Sequence, residues 1–524
     1  MQNEATPQTK LRAAAELHAA GRYAEAAPLW QELVSSAPAE PMPRIMLAAA
    51  LKGAGAWAQA ITEYEAAQKL APLPAVAESD LLLARLTIAD WREYQAGIAR
   101  LKRHVESGAA VNPSILLYAA EIGPDLLLRS ARAVAREISA GVTPLPPPAH
   151  SFADRIRLGY ISADFKPNHP VGRHMIDVAR RHDRSRFEVF GYSLAPDGPR
   201  LAAFTGVVDH MRVLQAEDDT AAAARIRADG IEILVDLGGY QSGARPGVLA
   251  HRPAPVQANF FGSGVSMGGD FIDYIVADEC LIPQAAAGHY AEAVVRLPGT
   301  YFPGYWARPE AKPLTRARLG LPDTALVFCA FAAQAKITPA MFALWLELLK
   351  QVPKSVLWLK DHHPAATASL RAQAAAAGLA PERLVFAGNI PEAAYFGALA
   401  LADLFLDTFP YGAGSTAADV LWAGVPVLTC LGESYVSRMA AAVVTGTGLT
   451  SLITADPEAY FARAIELAYD RAALAGYRRD LLTHRAELAL FDSARYVRNL
   501  DAAYAEMSRK FRAGERPVAF AVPG

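Results

Sequence analysis

Apolar and polar positions follow three successive patterns along the chain. Up to residue 142 the apolar positions keep helical spacing and recur as a block. Gly21, Tyr23, Ala26, Trp30 and Pro38 are matched 34 residues later by Gly55, Trp57, Ala60, Tyr64 and Pro72. A 34-residue period with a small residue at each helix crossing is the tetratricopeptide pattern, in which helix pairs stack and bury a shared face. One more step finds Trp91, Tyr94 and Ile98, so a third unit is degenerate. An array this short either presents a groove for peptide or braces the domain beside it. The stretch DLLLRSARAVAREISAG (125–141) adds a closing helix, and TPLPPPAH (143–150) a stiff Pro-rich linker.

Beyond the linker, short apolar runs alternate with helical ones. RIRLGYISADF (155–165), FEVFGYSL (187–194), IEILVDLGG (231–239) and FIDYIVAD (271–278) predict buried strands, with a helix over DDTAAAARIRADG (218–230). YFPGYWARPEAKP (301–313) then offers a hinge. The third pattern repeats the second: ALVFCAFA (325–332), SVLWLKD (355–361), RLVFAG (383–388), DLFLDTF (403–409) and PVLTCL (426–431) predict strands, with helices between them. Such βαβ grammar implies parallel sheets, and two doubly wound sheets in tandem place a cleft at their carboxyl ends. The expected organisation is a helical array over 1–142, a linker over 143–154, α/β halves over 155–305 and 306–485, and a closing helix and tail over 486–524.

Composition narrows the function by exclusion. With 52% hydrophobic and 20% charged residues at a net charge of -2, the chain carries no bulk field for nucleic acid or an acidic membrane. Cys280, Cys329 and Cys430 are too few and too scattered for a disulfide framework or a zinc site, and suit a reducing cytoplasm. The opening MQNEATPQTK has no apolar signal core and no apolar run reaches membrane-spanning length, so a cytoplasmic protein is expected.

The stretch YGAGSTAADVLWAGVP (411–426) carries the clearest chemistry. It leads from the end of a strand into a helix, where free N–H groups and the macrodipole favour an anion by about 0.3–2 kcal/mol. Gly412 and Gly414 allow tight turns, Ser415 or Thr416 is expected to cap the helix, and Asp419 follows one turn later. A carboxylate there repels phosphate but suits a pair of ribose hydroxyls.

With GYISADFKPNHPVGRHM (159–175), GGYQSGARPGVLAHRPAPVQ (238–257), DYIVAD (273–278), KITPAMFALWLELLKQVPKSVLWL (336–359) and DLFLDTFPYGAGSTAADVLWAGVPVLTCLGESYVSRMA (403–440), the chain resembles glycosyltransferase family 41. These are the O-linked N-acetylglucosamine transferases and their SPINDLY-like bacterial relatives. The resemblance implies a GT-B pair of Rossmann-like domains behind the repeats and a metal-independent, inverting transfer of a sugar, first of all N-acetylglucosamine from UDP-GlcNAc, to Ser/Thr of a protein acceptor. It implies no cofactor beyond the donor, and an acceptor peptide reaching the site through the tetratricopeptide groove. It assigns His169 and Lys336 to catalysis, the lysine on the diphosphate, and Gly262, Gly414, Ser415, Thr416, Asp419 and Arg438 to the nucleotide sugar. His174 ranks below His169, and Pro253, Pro255 and Gln257 shape the approach to the cleft.

Several positions depart from the family pattern. Gly414-Ser415-Thr416 stands where a His-Thr-Thr-like triplet is usual, Ala332 and Ala333 replace Asn and Gln, and Glu392 and Ala398 lie where basic residues often meet the nucleotide. FGSGV (261–265) replaces a Tyr-Pro-Gly loop. Two alternatives therefore stay open. One is transfer of another sugar, as in N-glucosyltransferases or flagellin and surface-protein glycosyltransferases; the other is a scaffold whose transferase site has decayed.

Overall fold

The computed structural model describes residues 6–147, 153–199, 201–262, 264–304 and 313–524. Part of the Pro-rich linker and most of the expected hinge at 301–313 lie outside these residues.

The helical array opens with three pairs: α1 (Pro7–Ala19) with α2 (Tyr23–Ser36), α3 (Pro41–Gly53) with α4 (Trp57–Leu70), and α5 (Ala75–Thr87) with α6 (Tyr94–Glu106). The short α7 (Pro113–Leu116) and α8 (Pro124–Ser139) complete it. The sequence period survives in the backbone. Gly21, Gly55 and Ala89, spaced by 34 residues, all take positive φ, at 70°, 79° and 54°. The degenerate third unit thus keeps its turn even where glycine has been lost.

The first α/β half contains β1 (Ile156–Ser162), α9 (Pro170–Arg181), β2 (Phe187–Ser193), β3 (His210–Val213), α10 (Asp219–Ala228), β4 (Ile233–Asp236), α11 (Pro246–Ala250), β5 (Val256–Asn259), β6 (Tyr274–Ala277) and β7 (Ala293–Arg296). The second contains β8 (Leu326–Ala330), α12 (Pro339–Gln351), β9 (Ser355–Lys360), α13 (Pro364–Ala376), β10 (Leu384–Ala387), α14 (Glu392–Leu399), β11 (Leu404–Leu406), α15 (Ser415–Trp422), β12 (Val427–Cys430), α16 (Tyr435–Thr445), β13 (Ile453–Thr454), α17 (Pro457–Tyr469) and α18 (Arg471–Thr483). Then α19 (Ser493–Arg512) and β14 (Phe520–Ala521) return to the first half, where α19 packs on α9 and β14 pairs with β7.

All strand pairs are parallel, in the orders β14-β7-β6-β5-β4-β1-β2-β3 and β10-β9-β8-β11-β12-β13. Both orders reverse direction once, between β1 and β4 and between β8 and β11. At such a switch point adjacent loops leave toward opposite faces and open a crevice at the strands' carboxyl ends.

The array's core falls into three parts. Ala14, Ala26, Trp30 and Leu47 form one small cluster and Ala48, Ala60, Tyr64 and Leu81 a second, whereas Leu82, Leu86, Ile98, Leu116 and Ala131 belong to one continuous core with residues of both α/β halves. Ala89 O accepts from Ser369 Oγ at 2.7 Å, Trp91 meets the Phe342 ring at 5.6 Å, and Asn112 Nδ2 donates to Tyr240 O at 3.1 Å. The third pair and α7–α8 therefore brace both halves. Among the described residues no helix is long and apolar enough to cross a membrane.

Candidate active site

The loops at the second switch point meet side chain to backbone. Lys336 ends the turn Gln334–Lys336 after β8, while Asp407 and the 408–414 loop follow β11. Lys336 Nζ donates to Gly412 O at 3.0 Å and lies 3.9 Å from the centre of the Tyr411 ring. Asp407 is the hub behind this loop. It is 3% exposed, and its carboxylate accepts from Ala413 N–H and Thr429 Oγ–H, both at 2.8 Å. Gly412 is required by close approach, because a Cβ there would sit 2.9 Å from Asp407 Oδ2. Burial pushes the Asp407 carboxyl above its ordinary range and the Lys336 ammonium below its own, each opposed by the other's charge. Sequence reasoning passed over Asp407; a strand-end carboxylate at a switch point is the signal that marks it.

The start of α15 differs from the expected cap. Gly414 is the N-cap residue and makes no side-chain cap bond, and Ser415 is already the first helical residue. With no side chain satisfying its first N–H groups, the helix start keeps the donors an anion would use. Ser415 is instead engaged from across the cleft: His174 Nε2 lies 3.2 Å from its Oγ. Asp419 is 2% exposed, so it is no solvated surface carboxylate, and Arg173 Nη2 lies 3.6 Å from its Oδ2. Thr416 is the second residue of the helix.

Arg173 and His174 belong to the first half. β1 ends at its switch point at Ser162, and α9 begins at Pro170, after His169 at the N-cap. The His169 side chain makes no cap bond; its Nδ1 is 3.8 Å from Asp164 Oδ2, and burial lowers its pKa against the opposing pull of that carboxylate. His174 is buried, with the rings of Phe302 and Phe261 nearly perpendicular to its own at centroid distances of 4.8 and 5.4 Å. Of the two histidines, His174 contacts the second half, whereas His169 meets Asp164 of its own loop.

Gly262 sits where the loop after β5 crosses the one after β4. A Cβ there would fall 1.6 Å from Leu237 O, and its carbonyl accepts from Gln241 Nε2. The preceding Phe261 takes φ of 68°, and Asp236 Oδ1 and Oδ2 accept from Gly238 N–H and Gly239 N–H at 3.0 and 2.8 Å. Gln257 is buried in β5 and donates to Leu249 O and Phe271 O, a brace within the first half. Arg438 donates from Nε to Cys280 O at 2.7 Å, joining the halves, and from Nη1 to Gly432 O of its own half at 2.9 Å.

Among the described residues, the Nε2 of Gln334 is buried without a hydrogen-bond partner, two residues from Lys336. An orphaned donor of this kind costs about 1–3 kcal/mol unless something accepts from it. Nearby, a cavity of about 630 Å³ opens between the array and the second half, lined by Trp91, Tyr94, Glu121, Met341, Phe409 and Pro410. Among the described residues no three His, Cys, Asp or Glu side chains gather as a metal site.

Comparison with known proteins agrees with this layout. The family model described as glycosyl transferase family 41 matches residues 145–309 and 309–500. The chain is 34% identical over 378 residues to the probable UDP-N-acetylglucosamine–peptide N-acetylglucosaminyltransferase SEC of Arabidopsis thaliana, covering 70% of this chain and 38% of that protein. It is 26% identical over 560 residues to the UDP-N-acetylglucosamine–peptide N-acetylglucosaminyltransferase of Caenorhabditis elegans, covering 82% and 48%. The chain thus spans less than half the length of these relatives. A solved structure of a mutant O-GlcNAc transferase from Thermobaculum terrenum superposes with a TM-score of 0.81 at 26% identity, covering 97% of this chain and 98% of that one.

Proposed function

The chain belongs to glycosyl transferase family 41, with a helical array ahead of a GT-B pair of Rossmann-like halves, and from that premise we propose that it is a nucleotide-sugar-dependent, inverting protein glycosyltransferase. The donor in this reading is UDP-N-acetylglucosamine, the sugar nucleotide in the names of the two eukaryotic relatives. The acceptor is a Ser or Thr hydroxyl of a protein. What carries the reading is the bond from Lys336 Nζ to Gly412 O across the second switch point, beside a helix start whose N–H groups no side chain caps.

In the reaction, the acceptor oxygen attacks the anomeric carbon from the face opposite the diphosphate. The C–O bond to the diphosphate breaks, and the leaving group gains negative charge. Lys336 and the α15 N–H groups stabilise that charge, and they act more strongly for being withdrawn from water. Asp419 takes the ribose hydroxyls. His169, kept neutral by burial, accepts the proton lost by the acceptor hydroxyl. The acceptor chain runs along the cavity between Trp91 and Phe409, so the array guides peptide as well as bracing the halves.

The test is a donor panel on the purified protein: UDP-N-acetylglucosamine, UDP-glucose, GDP-fucose and a CMP-linked nonulosonate, scored by thermal shift and slow donor hydrolysis. Stabilisation and hydrolysis with UDP-N-acetylglucosamine are expected. A response confined to another sugar nucleotide would move the donor assignment, and no response to any would leave the scaffold.

A further inference from the structure

The donor-site reading leaves a charge unaccounted for. A departing nucleoside diphosphate carries more than one negative charge at neutral pH, and Lys336 brings a single positive one. Arg438, the other cation assigned there from sequence, already donates to Cys280 O and Gly432 O.

We propose, resting on that reading, that Arg173 supplies the second positive charge to the diphosphate, delivered across the cleft from the first half, and that His174 positions it. Arg173 is the fourth residue of α9, and α9 starts at the carboxyl end of β1, facing the cleft. A cation near a helix N-terminus stands at the wrong pole of the macrodipole, so an arginine there calls for an anion in front of it. Asp419 is one such anion, its Oδ2 3.6 Å from the guanidinium, which places Arg173 against the first turns of α15. Asp419 lies one helical turn past Ser415. A guanidinium beside it is therefore within one side-chain rearrangement of the N–H groups that head α15.

His174 makes that delivery repeatable. Its ring is buried, packed nearly perpendicular to the rings of Phe261 and Phe302, and its Nε2 meets Ser415 Oγ at 3.2 Å. The first turns of α9 and α15 are thereby tied at one point, and the arginine next to His174 is aimed at the place where the diphosphate sits. The donor is then held by one cation from each half, and closing the halves over it brings the second charge into place.

Calorimetric binding of UDP and of uridine to the full chain separates a charge role from a merely structural one. Arg173→Gln is expected to weaken UDP by about ten- to one-hundred-fold, the loss of a charge-assisted contact, while uridine binds as before. Arg173→Lys keeps the charge but loses the planar fork, and should lose UDP only several-fold, again with uridine unchanged. Should the glutamine variant fail to fold, the lysine variant carries the test: a UDP-to-uridine ratio equal to wild type overturns the proposal. Equal losses of UDP and uridine also overturn it, because they assign Arg173 to supporting Asp419 alone. If Lys336→Ala loses UDP and Arg173→Gln does not, the donor-site reading stands and this inference fails. A wild-type protein that binds UDP no better than uridine brings down the reading and the inference together.

Discussion

Lys336 Nζ reaches Gly412 O at 3.0 Å across the point where the order of the second sheet reverses, tying the loop after β8 to the loop after β11. The ammonium is thereby held between the strand-end loops where a ligand of an open α/β sheet sits. Replacing it with alanine should lower donor turnover by about 10²–10³-fold, the usual loss when one stabilising charge leaves a transition state. The fold should survive, because Asp407 keeps its bonds to Ala413 N–H and Thr429 Oγ–H and can remain protonated. Donor hydrolysis together with thermal unfolding checks this, and near-normal turnover in Lys336→Ala would refute the assigned role.

His169 predicts a pH signature. Its pKa lies below the ordinary 6.5 because burial disfavours the imidazolium. The folded protein therefore binds fewer protons at this site than the unfolded chain between the folded pKa and 6.5. This contribution to stability grows as pH rises through that window and is lost as pH falls through it. If the neutral ring accepts the acceptor's proton, the acid limb of kcat/KM should lie below pH 6.5, and His169→Asn should lower kcat and remove that limb. An acid limb that persists unchanged in His169→Asn would assign the titration to another group.

Arg438 should behave differently from Lys336. Its bond to Cys280 O joins the two halves and its bond to Gly432 O braces its own half, and hydrogen bonds from a charged donor contribute about 1.5–3 kcal/mol when partly shielded. Arg438→Ala is expected to lower unfolding stability on that scale while changing UDP affinity by less than about threefold, well under the 1.4 kcal/mol of a tenfold change. A larger loss of affinity than of stability would restore Arg438 to direct contact with the nucleotide.

The repeat, the two parallel sheets and the loop at 411–414 were legible because each leaves a periodic or compositional mark. Of the strands that escaped, β3 (His-Met-Arg-Val) and β5 (Val-Gln-Ala-Asn) have polar sequences, β13 and β14 have only two residues, and β7 (Ala-Val-Val-Arg) is a run of four. Several of their polar groups find partners no local pattern reveals: His210 Nε2 meets Glu188 at 2.9 Å, and Gln257 Nε2 donates to two carbonyls. The return of α19 and β14 to the first half is likewise set by long-range packing. At the site, the glycines, Lys336 and Asp419 could be picked out from sequence. The contacts of Arg173 and His174 could not, since a pair of residues on one helix carries no sign of what faces it 240 residues later.

Gly262 gives a steric prediction. Its missing side chain lets the loop after β5 lie against Leu237 O, and a methyl group there would fall 1.6 Å from that oxygen. Neither backbone can yield without disturbing Asp236, whose two oxygens hold Gly238 N–H and Gly239 N–H. Gly262→Ala should destabilise the protein by about 1–3 kcal/mol, the range for overpacked sites, and should weaken donor binding if this loop lies against the sugar. Wild-type stability in that variant would mean that the loop relaxes freely and that its path is not fixed by the contact.

Ala89 offers the opposite sign. It occupies the turn position held by Gly55 and Gly21 one and two periods earlier, at φ of 54°, where a Cβ costs roughly 1–2 kcal/mol. Glycine also gains freedom in the unfolded chain, which offsets part of the relief. Ala89→Gly should therefore stabilise the protein by about 0.5–1 kcal/mol, read as a higher denaturant midpoint at unchanged slope. The carbonyl of residue 89 accepts from Ser369 and Gln373 of the second half, so this turn is also a docking point. If the array braces the halves through it, the gain should appear in the unfolding of the whole α/β body. A gain confined to the first two helix pairs would instead mean that the array and the α/β halves unfold independently.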